Sequence, residues 1–163
     1  MNLPDQNNLN IAVIGVGYVG LPLAVNIAKF ITKKTIEDES YSSQIVCFDN
    51  NNSRIEELKI GLDSTREVSK NELINLKNID YTTNEEDLTI SDLFIVTVPT
   101  PINKNKIPDL EYIKDASKTL GKVIKKRSEI LKHSLNKSSP IIVFESTVFP
   151  GATEDICASI ISK

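Results

Sequence analysis

Three glycines, Gly15, Gly17 and Gly20, are spaced as G-V-G-Y-V-G, directly after the apolar run IAVI and directly before a helical pattern. That spacing suits the binding of a pyrophosphate by backbone amides. The first glycine allows a tight turn, the second leaves room for a phosphate to approach the main chain, and the third lets a helix pack closely on a strand. Amides at the start of that helix, with its dipole, then favour negative charge. Asp49 ends the next apolar run, QIVCFD. A carboxylate there accepts hydrogen bonds from both hydroxyls of an adenosine ribose and repels a 2′-phosphate, so the pattern favours NAD over NADP. The interval from Gly20 to Asp49 is 29 residues, longer than the usual spacing. A polar segment at 33–43 accounts for the excess without moving the strand end.

Further groups fall where a ligand on such a turn would extend. Arg54 lies in the first turn of the next helix. It suits either stacking on adenine or contact with the ribose, and it also reads as an ordinary surface arginine. VPTP (98–101) offers Thr100 in a loop stiffened by two prolines. ESTVFPG (145–151) offers Ser146 and Thr147. Each hydroxyl could brace a turn. Their shared position beyond strand ends points instead to a ligand.

The elements that must position these groups alternate between strand and helix. Strands are expected at 11–15, 44–49, 79–83, 93–99 and 140–147. Helices are expected at 18–30, 52–61, 69–77, from Asp109 onward, and at 151–162. Ser69 with Glu72 makes a capping box, and Gly61 suits a helix end. Gly121 weakens the case for an unbroken helix after Asp109. Strands separated by helices imply right-handed crossovers and a parallel sheet buried on both faces. The expected class is therefore α/β: a doubly wound, Rossmann-type parallel sheet of about five strands in three layers. One such domain fills residues 1–163. The polar stretches 33–43 and 125–139 read as solvated loops or helix extensions.

Composition narrows the function further. With 19 Lys and Arg against 22 Asp and Glu, the net charge is −3, and the charges are mixed along the chain. A nucleic-acid surface would need a basic stripe, which is lacking. No apolar run approaches the roughly 20 residues of a membrane span. Residues 1–9 do not resemble a signal peptide, so a cytoplasmic protein is expected. Two cysteines, Cys47 in a strand and Cys157 in a helix, form no metal or disulfide motif and read as inert thiols. The single histidine, His133, sits among polar residues and reads as solvated.

The segments GVGYVGLPLA, FDNNNSRIEELKIGLDSTREV, FIVTVPTPIN and FESTVFPGATE, in this order, resemble the nucleotide-sugar 6-dehydrogenases, the UDP-glucose/GDP-mannose dehydrogenase family. The wording DSTREV and VPTPIN is most similar to the Vi-polysaccharide type, which oxidises UDP-N-acetylhexosamines. The resemblance covers the chain apart from the two polar stretches. It implies oxidation of the sugar's 6-hydroxyl to a carboxylate with two NAD+, supplying precursors for surface polysaccharide. In the family, a cysteine in the sugar-binding half carries the intermediate as a thioester. The resemblance makes Gly15, Gly17, Tyr18, Val19, Gly20, Asp49, Arg54, Thr100 and Thr147 cofactor contacts. It also gives Thr147 a catalytic role, helping to hold the water that hydrolyses the thioester.

Family members run to more than twice this length. The sugar domain, with its cysteine, lysine and asparagine, has no counterpart here, and neither Cys47 nor Cys157 stands in the nucleophile's motif. The expectation is an N-terminal cofactor-binding domain, inactive by itself and monomeric alone. The full-length enzyme is expected to be a homo-oligomer acting on a UDP-sugar. Two other readings stay open: another β-hydroxyacid-type dehydrogenase domain, and a stand-alone NAD-sensing module.

Overall fold

A computed structural model describes residues 3–5, 7–102, 104, 107–133 and 138–163, except the side chain of His133. The expectations for His133 and for residues 134–137 of the second polar stretch lie outside the described part. Five strands form one sheet: β1 (Asn10–Ile14), β2 (Gln44–Phe48), β3 (Ile79–Thr82), β4 (Leu93–Val96) and β5 (Ile141–Phe144). Their order is β3-β2-β1-β4-β5, and every neighbouring pair is parallel. Ile14 stands level with Phe48 on one side and Val96 on the other, so three strand ends finish along one edge.

Side chains alternate across the sheet and build two cores. On one face Ile11, Val13, Ile45 and Cys47 pack against α1 (Gly20–Glu37), α2 (Asn52–Lys59) and α3 (Lys70–Asn75). On the other face Ala12, Ile14, Phe48, Phe94 and Val96 pack against Ala116, Leu120 and Val123 of α4 (Glu111–Ile130). The result is the expected three-layer, doubly wound arrangement. Burial of a side chain such as Phe94, which is fully enclosed, contributes about 1.5–3 kcal/mol.

The element boundaries carry informative differences. Helix α1 starts at Gly20 and runs on to Glu37, well past residue 30. The Thr32 and Thr35 hydroxyls donate to the carbonyls one turn back, at Ala28 and Ile31, and Lys34 pairs with Glu37 at 3.0 Å. The first part of the polar stretch is thus an exposed helical extension, and the remainder loops into β2. Helix α3 opens on the full Ser69–Glu72 capping box. Helix α4 passes through Gly121 without a break. A Cβ there would meet the Ile161 carbonyl oxygen at 3.3 Å, so glycine permits close approach of the terminal helix. That terminal segment begins as a π-helical turn, Thr153–Ala158, and ends in α5 (Ser159–Ile161). Strands β4 and β5 stop earlier than the sequence suggests, at Val96 and Phe144, so VPTP and EST lie wholly in loops. A short 3-10 turn at Glu85–Leu88, capped by Asn84, was not anticipated.

Candidate functional site

The chain leaves β1 toward β2 and β3, then returns to build β4 and β5 on the opposite side. Ligands bind beyond the strand ends at such a reversal. A cleft of about 880 Å³ opens there, walled by the glycine turn, the loops after β2, β4 and β5, and the first turns of α4.

The three glycines play three separable parts. Gly15 has φ +91°, and a Cβ on it would meet the Val98 side chain at 3.1 Å. Gly20 is sealed: a Cβ would lie 1.9 Å from the Gly15 carbonyl oxygen and 2.4 Å from Thr97 Oγ1. Thr97 in turn donates to the Gly15 carbonyl at 2.6 Å, fixing β4 to the turn. Gly17 differs from both. Nothing lies within 4 Å of its Cβ position, and it faces the cleft. Glycine is therefore not required there by protein packing, and the space beside it stays open to the cleft. Helix α1 begins just beyond, with no side chain capping it and no acid in its first turn. That end suits an anion. Tyr18 and Val19 are exposed on the rim of the same cleft.

Asp49 also lines the cleft. Its Oδ2 accepts the Val16 amide at 3.0 Å and its Oδ1 accepts the Asn51 amide at 2.9 Å. A carboxylate has about four lone-pair directions, so acceptor capacity remains for ribose hydroxyls.

Arg54 is not a surface arginine: its side chain is 8% exposed. Nε donates to the Val16 carbonyl at 2.9 Å, and Nη2 reaches Asp63 Oδ1 at 2.7 Å. Nη1 contacts Ser64 Oγ at 3.2 Å. Sequence reasoning missed Asp63, whose side chain is fully enclosed. Burial pushes its carboxyl up. The hydrogen bonds from Thr65, Val68 and Arg54 together outweigh that and hold it down at about 2. The local signal was present, since Asp followed two residues later by Thr suits a side-chain-bonded turn. The partnership with Arg54 was not visible in the spacing.

The remaining hydroxyls lie at the other end of the cleft. Thr100 Oγ1 donates to the Thr147 carbonyl at 2.7 Å, and Ser146 Oγ to the Val98 carbonyl at 2.6 Å. Thr147 itself is exposed on the cleft wall. Cys47 and Cys157 are both buried away from the cleft, and burial pushes the Cys47 thiol up. Among the described residues no cluster of His, Cys, Asp or Glu could hold a metal ion, and no helix is long and apolar enough to cross a membrane.

Residues 9–163 match the model of the UDP-glucose/GDP-mannose dehydrogenase family, NAD binding domain. The chain is 44% identical over 158 residues to the UDP-N-acetyl-D-glucosamine 6-dehydrogenase of Pseudomonas aeruginosa, covering 97% of this chain and 32% of that protein. It is 40% identical over 157 residues to the protein of the same name in Salmonella typhi, covering 96% and 31%. The chain thus spans about a third of the length of the curated relatives it matches. In fold it resembles a UDP-glucose dehydrogenase from Pyrobaculum islandicum, with a TM-score of 0.75 at 23% identity over 99% of this chain and 34% of that one. With its glycine turn, its acid at the end of β2 and its 3-2-1-4-5 sheet, the chain belongs to the UDP-glucose/GDP-mannose dehydrogenase family, and what it spans is that family's NAD binding domain.

Proposed function

We propose that the cleft binds NAD+ as the cofactor half of an enzyme that oxidises the 6-hydroxyl of a UDP-N-acetylhexosamine to a carboxylate. The observation that carries the cofactor reading is the open space at Gly17 between the start of α1 and Asp49. Gly15, Gly17, Tyr18, Val19 and Gly20 would form the phosphate side, and Asp49 the ribose side. Thr100 and Thr147 would stand at the nicotinamide side. The cofactor, when bound, accepts hydride from the sugar carbon. Arg54 lines the cleft beside them, with Nε, Nη2 and Nη1 donating to Val16, Asp63 and Ser64. The choice of an N-acetylated UDP-sugar rests on the names of the two bacterial relatives at 44% and 40% identity. Such an enzyme would work in the cytoplasm, making precursors for surface polysaccharide.

Isothermal titration with both cofactors tests the reading. NAD+ binding tighter than NADP+ is expected, and equal or tighter NADP+ binding overturns the role given to Asp49. We further propose that this chain alone turns over no UDP-sugar. Covalent catalysis needs an accessible nucleophile, and both cysteines are buried outside the cleft. Reduction of NAD+ on adding UDP-N-acetylglucosamine to the purified chain would refute this.

A further inference from the structure

We infer that Asp63 is a positioning residue for the phosphate-binding turn, acting through Arg54 on the Val16 carbonyl. The inference rests on the reading of the cleft as an NAD site. Val16 sits in the middle of the turn and is gripped through both of its flanking peptide groups. Its N–H is held by Asp49 at 3.0 Å and its C=O by Arg54 Nε at 2.9 Å. Arg54 has a long side chain with many rotamers, so this second grip needs an anchor of its own. Asp63 supplies it at 2.7 Å from Nη2, with a side chain closed off from solvent.

The same carboxylate organises a loop. Asp63 Oδ1 accepts the Thr65 amide at 3.0 Å and the Thr65 hydroxyl at 2.6 Å. Its Oδ2 accepts the amides of Glu67 at 2.8 Å and Val68 at 2.9 Å. Thr65 is part of the cleft wall. One anion therefore ties the loop after α2 to the turn that would take the pyrophosphate. A buried ion pair is a poor way to gain stability alone, because desolvation offsets much of the attraction. Its use here is geometric: it aims the guanidinium. Coupling of this kind is reciprocal, so a ligand that orders the turn should also protect the loop.

The experiment compares wild type with Asp63→Asn, in NMR titrations with NAD+ and with adenosine, which lacks the pyrophosphate. Folding of each variant is checked first by circular dichroism. The expected result is NAD+ binding weakened about tenfold or more, the scale of losing one aligned charge-assisted contact, with adenosine binding unchanged. In parallel, NAD+ should slow hydrogen exchange at the Glu67 and Val68 amides of the wild type. If Asp63→Asn does not fold, Asp63→Glu, which keeps the charge but displaces it, carries the comparison. If neither folds, the exchange measurement on wild type decides. Unchanged NAD+ affinity in a folded variant overturns the inference, as does an equal loss for adenosine or a lack of added protection at residues 67 and 68. Failure of the wild type to bind NAD+ instead overturns the reading of the cleft, and the inference with it.

Discussion

The Thr100 hydroxyl donates to the Thr147 carbonyl oxygen at 2.7 Å, bridging the loops that follow β4 and β5. The bond uses the backbone of Thr147 and leaves that residue's own hydroxyl on the cleft wall with no partner among the described residues. The two threonines should therefore respond differently to substitution. Thr100→Val removes a loop-to-loop hydrogen bond and is expected to cost about 1 kcal/mol of stability, read by thermal melting. Thr147→Ala leaves that bond in place. In a protein that also carries the sugar-binding part, it should slow turnover tenfold to a hundredfold, about 1–3 kcal/mol, with little change in NAD+ affinity or melting temperature. A lowered melting temperature with normal turnover would make Thr147 a brace and nothing more.

Gly17→Ala and Gly20→Ala should separate binding from folding. At Gly17 a methyl group meets no protein atom. Stability should stay within about 1 kcal/mol of wild type, while NAD+ affinity falls at least about tenfold because the methyl takes the phosphate's space. At Gly20 the same methyl would strike the Gly15 carbonyl and the Thr97 hydroxyl. A loss of about 1–3 kcal/mol or more is expected, the scale of overpacking. Denaturant melts and cofactor titrations on both variants check the pair. Equal NAD+ affinity in wild type and Gly17→Ala would remove the phosphate from that spot.

Asp49→Asn should erode the preference for NAD+ over NADP+. The amide keeps one acceptor for the Val16 N–H but loses the charge that repels a 2′-phosphate. The affinity ratio is expected to fall about tenfold to a hundredfold, from the 1.5–3 kcal/mol scale of hydrogen bonds to charged groups. Calorimetry with both cofactors measures it, and an unchanged ratio counts against the assignment.

Acid stability should depend on Asp63. Its carboxyl is held at about 2 in the folded chain against an ordinary value of 3.8. A depressed acid contributes stability that is fully present above the unfolded value and is lost as pH falls through the folded one. The contribution, about 2 kcal/mol, should therefore fade between about pH 4 and pH 2. Urea melts across that window should show a steeper loss for wild type than for Asp63→Asn. Parallel curves would deny Asp63 that role.

The glycine turn, the acid at the end of β2, the strand–helix alternation and the capping box of α3 were legible in the sequence alone. Each rests on a local rule: φ above zero at Gly15, a continuous apolar run for a buried strand, a serine three residues before a glutamate. The family was legible too, because its motifs are contiguous words. Other features depended on contacts between distant segments. Helix α4 continues through Gly121 because the Ile161 backbone approaches it there. Gly17 and Gly20 have different parts by their places in the motif, but only the tertiary structure supplies the contacts: Gly17 has open space beside it in the cleft, and Gly20 is sealed by Thr97 and the Gly15 carbonyl. Arg54 read equally well as a ligand contact or a surface residue. The fold removes the surface reading and encloses Arg54 in the cleft wall, because the turn after β1, α2 and the loop at Asp63 meet around its guanidinium, and a long cation enclosed among fixed acceptors takes the geometry they dictate.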